Sequence, residues 1–229
     1  MPANAPVGEQ TLQPADCPAY IMAGGRSSRF GSDKALVNVD GQPLLLRLRD
    51  VLQQAGHSVE VVADRTDRYD QLGIDCLVDR QSASGPLAGV ATAFEHRSRT
   101  EDGWMLLLNC DQWHWQPAWF AELAQHAHRS AATRQIDSVS FLSLIEGNPP
   151  RVEPFPSLLH TRLLPTALTG LQQAGRGLHT LFASQSSVGI QIESSPQQWS
   201  FNTLEELQRL RARMAGGDSR IKPSCSDKA

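Results

Sequence analysis

The chain has 229 residues and a formal net charge of −3, and 40% of its residues are hydrophobic. These values are typical of a soluble α/β domain with a sizeable core, and the charge argues against a nucleic-acid surface. No apolar run approaches the roughly 20 residues that a membrane span needs, and the N-terminal segment lacks the pattern of a secretory signal.

Cysteine usage also bears on where the protein works. The four cysteines are scattered and show no C-x-x-C spacing. This pattern favours reduced thiols, so we predict a cytoplasmic protein.

The first half of the chain alternates between short apolar runs and amphipathic segments, which is the rhythm of a parallel sheet with crossover helices. The expected elements are a strand over 19–22, an extended piece over 36–39 with a turn at Asp40-Gly41, a helix from Pro43 to Gly56, a strand over 59–63, a polar helical piece over 66–72, a strand over 74–78, a helix to about His96 and a strand over 104–108.

The second half is less regular. Its expected elements are a helix over 117–128, a strand over 139–145, a break at Pro149-Pro150, an extended piece over 152–155, a helix over 157–174, a strand over 188–192 and a last helix that opens with a capping box formed by Thr203 and Glu206. We therefore predict one Rossmann-like α/β domain over 18–214, a mostly parallel sheet with helices on both faces, and disordered tails over 1–17 and 215–229.

The segment over 22–34 breaks from a buried strand into a glycine-rich, basic loop. Glycine backbones can adopt positive φ angles and bring amide N–H groups close to a ligand, and basic side chains add charge. The residues concerned are Gly24, Gly25, Arg26, Arg29, Gly31 and Lys34. The pattern favours a polyphosphate ligand, and the alternative is a surface turn whose charges are solvated. Its spacing excludes both a Walker A loop and the dinucleotide-binding fingerprint.

Acidic and amide side chains follow later elements. Asp111 ends the most apolar predicted strand, where a carboxylate could bind Mg²⁺ or instead cap the next helix. Asp79 precedes a loop with Gly85, which could bind a ligand or simply start a helix at Pro86. Asn202 precedes the last helix and could be a ligand or a cap.

Several of these segments resemble the MobA-like nucleotidyltransferases. Residues 22–34 resemble the family's signature loop, L-A-G-G-x-S/A-x-R-M/F-G-x-D-K, and Cys110-Asp111 matches its C-D pair. Asp79 with residues 84–89 is similar to the D-x(n)-G-P-L-A-G motif. Asn202 matches the second asparagine of an N-x-N-T-P-E-E-L segment found in the molybdenum cofactor guanylyltransferases, which the chain resembles most.

The resemblance implies residue roles and a fold of the nucleotide-diphospho-sugar transferase type. The implied catalytic residues are Arg26, Lys34 and Asp111, and the implied ligands of Mg²⁺ are Asp111 and Asn202. The implied nucleotide-binding residues are Met22, Ala23, Gly24, Gly25, Lys34, Asp79, Gly85 and Asp111.

The reaction that the resemblance implies is Mg²⁺-dependent transfer of GMP from GTP to the phosphate of molybdopterin, with release of pyrophosphate. We expect a monomer that uses GTP and the molybdenum cofactor and that could meet cofactor-carrier or acceptor-enzyme proteins, but neither nucleic acid nor membranes. Two enzymatic alternatives stay open, a cytidylyltransferase for the same cofactor and another NTP:phosphate nucleotidyltransferase. A nucleotide-binding partner protein without turnover is the non-enzymatic alternative.

The chain also departs from the family pattern. Residues 112–115, Gln-Trp-His-Trp, stand where the family commonly has a proline, and Ser200 replaces the first asparagine of the last motif. Ala63 and Asp64 lie where the family often has an asparagine that contacts the base. For the tryptophans over 104–119 we favour core packing over a pterin-facing wall.

Overall fold

The computed structural model of the chain describes residues 11–24, 31–79, 85–131, 135–144, 149–173, 177–183, 186–191 and 199–215. Its strands are β1 (Ala19–Met22), β2 (Asn38–Val39), β3 (Gln42–Pro43), β4 (Val59–Ala63), β5 (Cys76–Val78), β6 (Trp104–Asn109), β7 (Ser138–Ser143), β8 (Arg151–His160) and β9 (Ser187–Gln191). Its helices are α1 (Leu44–Gln54), α2 (Pro86–Thr100), α3 (Pro117–Ala131), α4 (Leu164–Gln172) and α5 (Leu204–Ala215).

The central sheet of the described residues has seven strands in the order β5-β4-β1-β6-β8-β7-β9. The pairs β5–β4, β4–β1, β1–β6 and β7–β9 are parallel. Strand β8 runs antiparallel to both of its neighbours. β2 and β3 form a separate two-stranded hairpin.

Helices cover both faces of this sheet. Buried side chains of α1, α3 and α5 form one apolar cluster, and those of α2 and α4 form the other. Strand β1 is buried on both faces, because Ile21 packs in the first cluster and Tyr20 in the second. The sequence of such a strand is a continuous apolar run. The predicted single α/β domain, with a mostly parallel sheet between two helical layers, is confirmed.

Two local predictions were wrong. The polar helix expected over 66–72 is reduced to a single 3₁₀ turn at Asp70–Leu72. The helix expected over 157–174 begins at Leu164, because Ser157, Leu158 and Leu159 belong to β8 and pair with β6 and β7. Burial between two strands outweighs the helical spacing of these residues.

The ends of the fold carry further detail. Residues Pro14–Asp16 form a 3₁₀ turn and Cys17 is buried, so the chain packs on the core slightly before residue 18. At α5 the predicted capping box is present, since Thr203 Oγ1 accepts from the Glu206 amide and Glu206 Oε2 accepts from the Thr203 amide. Within the described ranges no helix is long and apolar enough to cross a membrane.

Candidate active site

The carboxyl ends of four parallel strands meet at one edge of the sheet. Met22 at the end of β1 is in register with Val62 on one side and with Asn109 on the other. Ala63 in β4 is in register with Val78 in β5. The residues that follow these strand ends therefore share one edge, which is where open α/β sheets bind ligands. They are Gly24, Asp64, Asp79 and Asp111.

Lys34 contacts two other predicted site residues, Asp111 and Asn202, which are far from it in sequence. Its Nζ lies 2.8 Å from Asn202 Oδ1 and 3.4 Å from Asp111 Oδ2. The side chains of Lys34 and Asp111 are only 12% and 10% exposed. The structure thus brings the predicted lysine, carboxylate and amide together, with Lys34 and Asp111 largely buried and Asn202 exposed.

Burial sets the electrostatics of Asp111. Removal from water raises the pKa of this carboxyl above its usual range, and the Lys34 ammonium opposes that rise. Asp111 therefore depends on a neighbouring cation to stay ionised. In the structure, Lys34 supplies that cation.

Asn202 is held in place by the start of α5. Its backbone N–H donates to Glu206 Oε2, the same atom that accepts from Thr203. The preceding segment is tied to the end of β6, since the Trp113 N–H donates to the Trp199 carbonyl at 2.7 Å. These contacts explain how a residue so far along the chain reaches Lys34.

The cluster can be tested for its fit to Mg²⁺. Asp111 and Asn202 offer one carboxylate and one amide oxygen, and both already face a positive charge. In the described part of the chain, no group of three or more His, Cys, Asp or Glu side chains could hold a metal. Mg²⁺ usually takes one or two protein carboxylates and fills its shell with water and substrate phosphates, so this sparse donor set fits it.

Both described ends of the glycine-rich segment lie at the same edge. The Ala23 N–H donates to the Val62 carbonyl at 2.8 Å, so it is not available to a phosphate. A Cβ on Gly24 would lie 3.4 Å from the backbone of Ala63 and Asp64, so the segment starts close against the end of β4. Gly31 has a φ of 79°, a conformation that favours glycine. Gly25 and Arg26 lie outside the described residues.

A charged network beside this segment was missed by the sequence analysis. The Arg68 guanidinium donates to Asp33 Oδ2 at 2.8 Å and to Asp64 Oδ1 at 2.6 Å. The Tyr69 hydroxyl donates to the Ala23 carbonyl at 2.9 Å. Burial alone would raise the pKa of Asp64, but the hydrogen bond and charge of Arg68 lower it. The i,i+4 spacing of Asp64 and Arg68 was the available signal.

Asp79 directly follows β5, and Gly85 directly precedes α2. The Asp79 N–H donates to the Ala63 carbonyl, and Asp79 Oδ2 lies 3.8 Å from the position of a Cβ on Gly89. Gly85 precedes the helix with a φ of 78°, and Pro86 follows it within the first turn. The helix start at Pro86 that was considered for this loop is therefore present. Gly89 also allows close packing, since a Cβ there would lie 3.2 Å from Met22 Sδ. Asp79 lies where a ligand at the sheet edge would meet it.

A cavity of about 420 Å³ also borders Asp79. It lies between the outer strand β5 and helices α2 and α4, and its described lining includes Glu95, His96 and Arg99. Lys34 and Asp111 are not among the described residues that line it, so the cavity is separate from the lysine–carboxylate cluster.

The tryptophans pack as predicted. Trp113, Trp115 and Trp119 are buried in the cluster that also holds α1 and α3. Trp199 packs in the same cluster, and the Arg213 guanidinium lies 4.9 Å from its ring centre. These rings form core rather than a surface for a flat ligand, which confirms the core-packing interpretation.

Comparisons with known proteins agree with the geometry. Residues 19–188 match the MobA-like NTP transferase domain. The chain is 28% identical to the molybdenum cofactor guanylyltransferase of Bordetella petrii, over 87% of this chain and 99% of that one. It is 29% identical to the enzyme of the same name from Ralstonia pickettii, over 87% and 98%.

A solved structure shows the same fold. It is the molybdopterin-guanine dinucleotide biosynthesis protein A of Archaeoglobus fulgidus, with a TM-score of 0.66 and 16% identity, over 87% of this chain and 99% of that one. The fold is thus of the nucleotide-diphospho-sugar transferase type. The domain match, which spans most of the sequence, shows that the chain belongs to the MobA-like NTP transferase family of nucleotidyltransferases.

Proposed function

We propose that this protein transfers GMP from GTP to the terminal phosphate of molybdopterin and releases pyrophosphate. The observation that carries the proposal is the contact of Lys34 with Asp111 and Asn202, at the strand edge where the glycine-rich segment begins. The names of the relatives from Bordetella petrii and Ralstonia pickettii support a guanine nucleotide and the molybdenum cofactor as the substrates.

Lys34 is the described cation in contact with Asp111. In our proposal it binds a triphosphate together with backbone amides of the glycine-rich segment from Gly24 onward. Gly25 and Arg26 belong to the same segment and extend this set in our proposal. Amides and cations at the site stabilise the negative charge that develops on the phosphates.

The proposed chemistry is an in-line displacement at the α-phosphorus. An oxygen of the acceptor phosphate forms the new P–O bond while the bond to the β-phosphate oxygen breaks, and pyrophosphate leaves with the electron pair. The acceptor is already an anion, so the protein needs no strong base. Its residues position two anionic groups and offset their mutual repulsion.

Asp111 and Asn202 are the residues that would hold Mg²⁺. The ion would supply positive charge to the phosphate oxygens of the bound nucleotide. In that state Lys34 would move its ammonium from Asp111 to a phosphate, so that each anion keeps a cation. In this proposal the acceptor binds beside the segment after Asp111, whose tryptophan rings are buried in the core.

Nucleotide-dependent thermal stability tests this proposal. A ligand at about 100 times its dissociation constant adds about 2.7 kcal/mol to the free energy of unfolding. With Mg²⁺ present, we expect GTP to raise the melting temperature more than CTP, ATP or UTP. A larger shift with CTP would instead support a cytidylyltransferase. No shift with any nucleotide would contradict the proposal.

A further inference from the structure

Arg68 and Tyr69 connect both described ends of the glycine-rich segment to the sheet. At the first end, the Tyr69 hydroxyl donates to the Ala23 carbonyl at 2.9 Å. At the second end, the same hydroxyl lies 3.1 Å from Asp33 Oδ2, which also accepts from Arg68 Nη2 at 2.8 Å. Asp33 directly precedes Lys34, so the two residues act next to the lysine of the site.

Arg68 uses its planar guanidinium to hold two carboxylates at once. Nε and Nη2 donate to Asp33, at 3.1 and 2.8 Å, while Nη1 donates to Asp64 at 2.6 Å. The Arg68 and Asp33 side chains are 16% and 19% exposed, so water screens this pair weakly. A lysine in its place would carry the charge but could not present this fork of donors.

Asp33 transmits the restraint to Lys34. Its Oδ1 accepts from the Ala35 N–H at 3.0 Å and starts the 3₁₀ turn Lys34–Leu36. With its other oxygen bound by Arg68, the carboxylate is fixed from both sides. The backbone of Lys34 is therefore set by a chain of contacts that begins at the end of β4.

Arg68 also neutralises two carboxylates near the proposed binding site. Asp33 and Asp64 place two carboxylates at the edge where a triphosphate is proposed to bind, and both are paired with Arg68. Without that guanidinium they would repel an anionic ligand. The same side chain thus fixes the segment and neutralises its surroundings.

We infer that Arg68, assisted by Tyr69, is a positioning residue for the triphosphate, which it serves by fixing Asp33 and thereby Lys34. The inference rests on the proposed nucleotide binding and adds a residue that does not touch the substrate. It predicts that loss of Arg68 weakens nucleotide affinity more than it slows the chemical step.

The test compares Arg68→Met with Arg65→Met. Arg65 is a matched control because it lies in the same segment and carries the same charge, but its ion pair with Asp67 is about two-thirds exposed on both sides. GTP binding is measured by titration calorimetry with Mg²⁺. We expect Arg68→Met to raise the dissociation constant about tenfold, equal to about 1.4 kcal/mol, and Arg65→Met to leave it within about twofold.

Further readouts separate positioning from charge and from stability. Arg68→Lys keeps the charge, and we expect most of the affinity loss to remain. Hydrogen exchange over residues 31–37 should become faster in Arg68→Met and stay unchanged in Arg65→Met. In turnover assays KM for GTP should rise while kcat changes less, the pattern of lost binding shared by ground and transition states.

The outcomes distinguish this inference from the proposed function. If wild-type protein binds no GTP, the proposed function is contradicted and the inference with it. If wild type binds and Arg68→Met binds equally well, or Arg68→Lys restores full affinity, the inference alone is overturned. If Arg68→Met does not fold, Tyr69→Phe replaces it in the test. This variant removes the hydroxyl contacts to Ala23 and Asp33 and keeps the buried ring. Unchanged GTP affinity in Tyr69→Phe would also refute the inference.

Discussion

Replacement of Lys34 by methionine should turn the apo protein into one that magnesium stabilises. Methionine keeps much of the side-chain stem and removes the ammonium that lies 3.4 Å from Asp111 and 2.8 Å from Asn202. The two oxygens would then face each other without a cation. We expect Mg²⁺ to occupy their site in the variant, even without nucleotide, whereas in the wild type Lys34 competes with the ion.

The magnitude follows from the distance and the burial. Unit charges 3.4 Å apart interact by about 5 kcal/mol at an effective dielectric constant of about 20. The net loss is smaller, because Asp111 can take up a proton and both side chains retain some exposure. We expect Lys34→Met to lower the free energy of unfolding by about 1 to 3 kcal/mol in metal-free buffer. Mg²⁺ at about ten times its dissociation constant should return about 1.4 kcal/mol.

Urea denaturation with EDTA or with Mg²⁺ measures both effects. The wild type should show the same midpoint in the two buffers, and Lys34→Met should show a higher midpoint with Mg²⁺. The double variant Lys34→Met/Asp111→Asn is the control, since it lacks the carboxylate and should not respond. A Lys34→Met protein that ignores Mg²⁺ would refute the argument that lysine and metal share one site.

Three further changes have expected outcomes. Asp111→Asn should keep GTP binding but lower turnover by orders of magnitude, and rate against Mg²⁺ concentration checks this; a curve that superimposes on the wild type would leave Asp111 as a mere cap. Glu206→Ala should cost about 1 kcal/mol of stability and raise the Mg²⁺ requirement, because Glu206 holds the Asn202 backbone; an unchanged requirement would separate the cap from the site. Burial and the nearby Arg162 lower the pKa of His160 in the folded chain to about 4. Between that pH and about pH 6.5, His160 therefore carries a proton in the unfolded chain but not in the folded chain. Stability should therefore fall from pH 7 to pH 4.5, and His160→Gln should lose less; an equal loss in both proteins would assign the pH dependence to other groups.

The fold could be predicted because the hydrophobic residues of most elements are spaced as in a helix or as in a buried strand. Strands such as β1 and β6 are apolar on both faces. Helix α1 has Pro43 as its N-cap, and Gly56 follows its C-cap with a positive φ, close to the expected bounds. Residues 157–159 could not be assigned correctly, because their burial between β6 and β7 depends on partners distant in sequence. Local spacing carries no information about such pairing.

The site could be predicted in part from sequence motifs. Lys34, Asp111 and Asn202 lie in recognisable motifs, and the structure brings them together. Arg68 and Tyr69 lie in a segment of low regularity, and their role appears only when β4 is placed beside the glycine-rich segment. The sequence also could not show that the Ala23 amide is unavailable to a ligand, since its acceptor, the Val62 carbonyl, lies on the neighbouring strand.

The central claim is the transfer of GMP to molybdopterin. The most direct measurement incubates the protein and Mg²⁺ with molybdopterin and GTP labelled at the α-phosphate, and follows the label by chromatography. We expect label in a pterin dinucleotide, unlabelled pyrophosphate in equal amount, and no product with Asp111→Asn. Transfer from labelled CTP but not from GTP, or no transfer from either nucleotide, would contradict it.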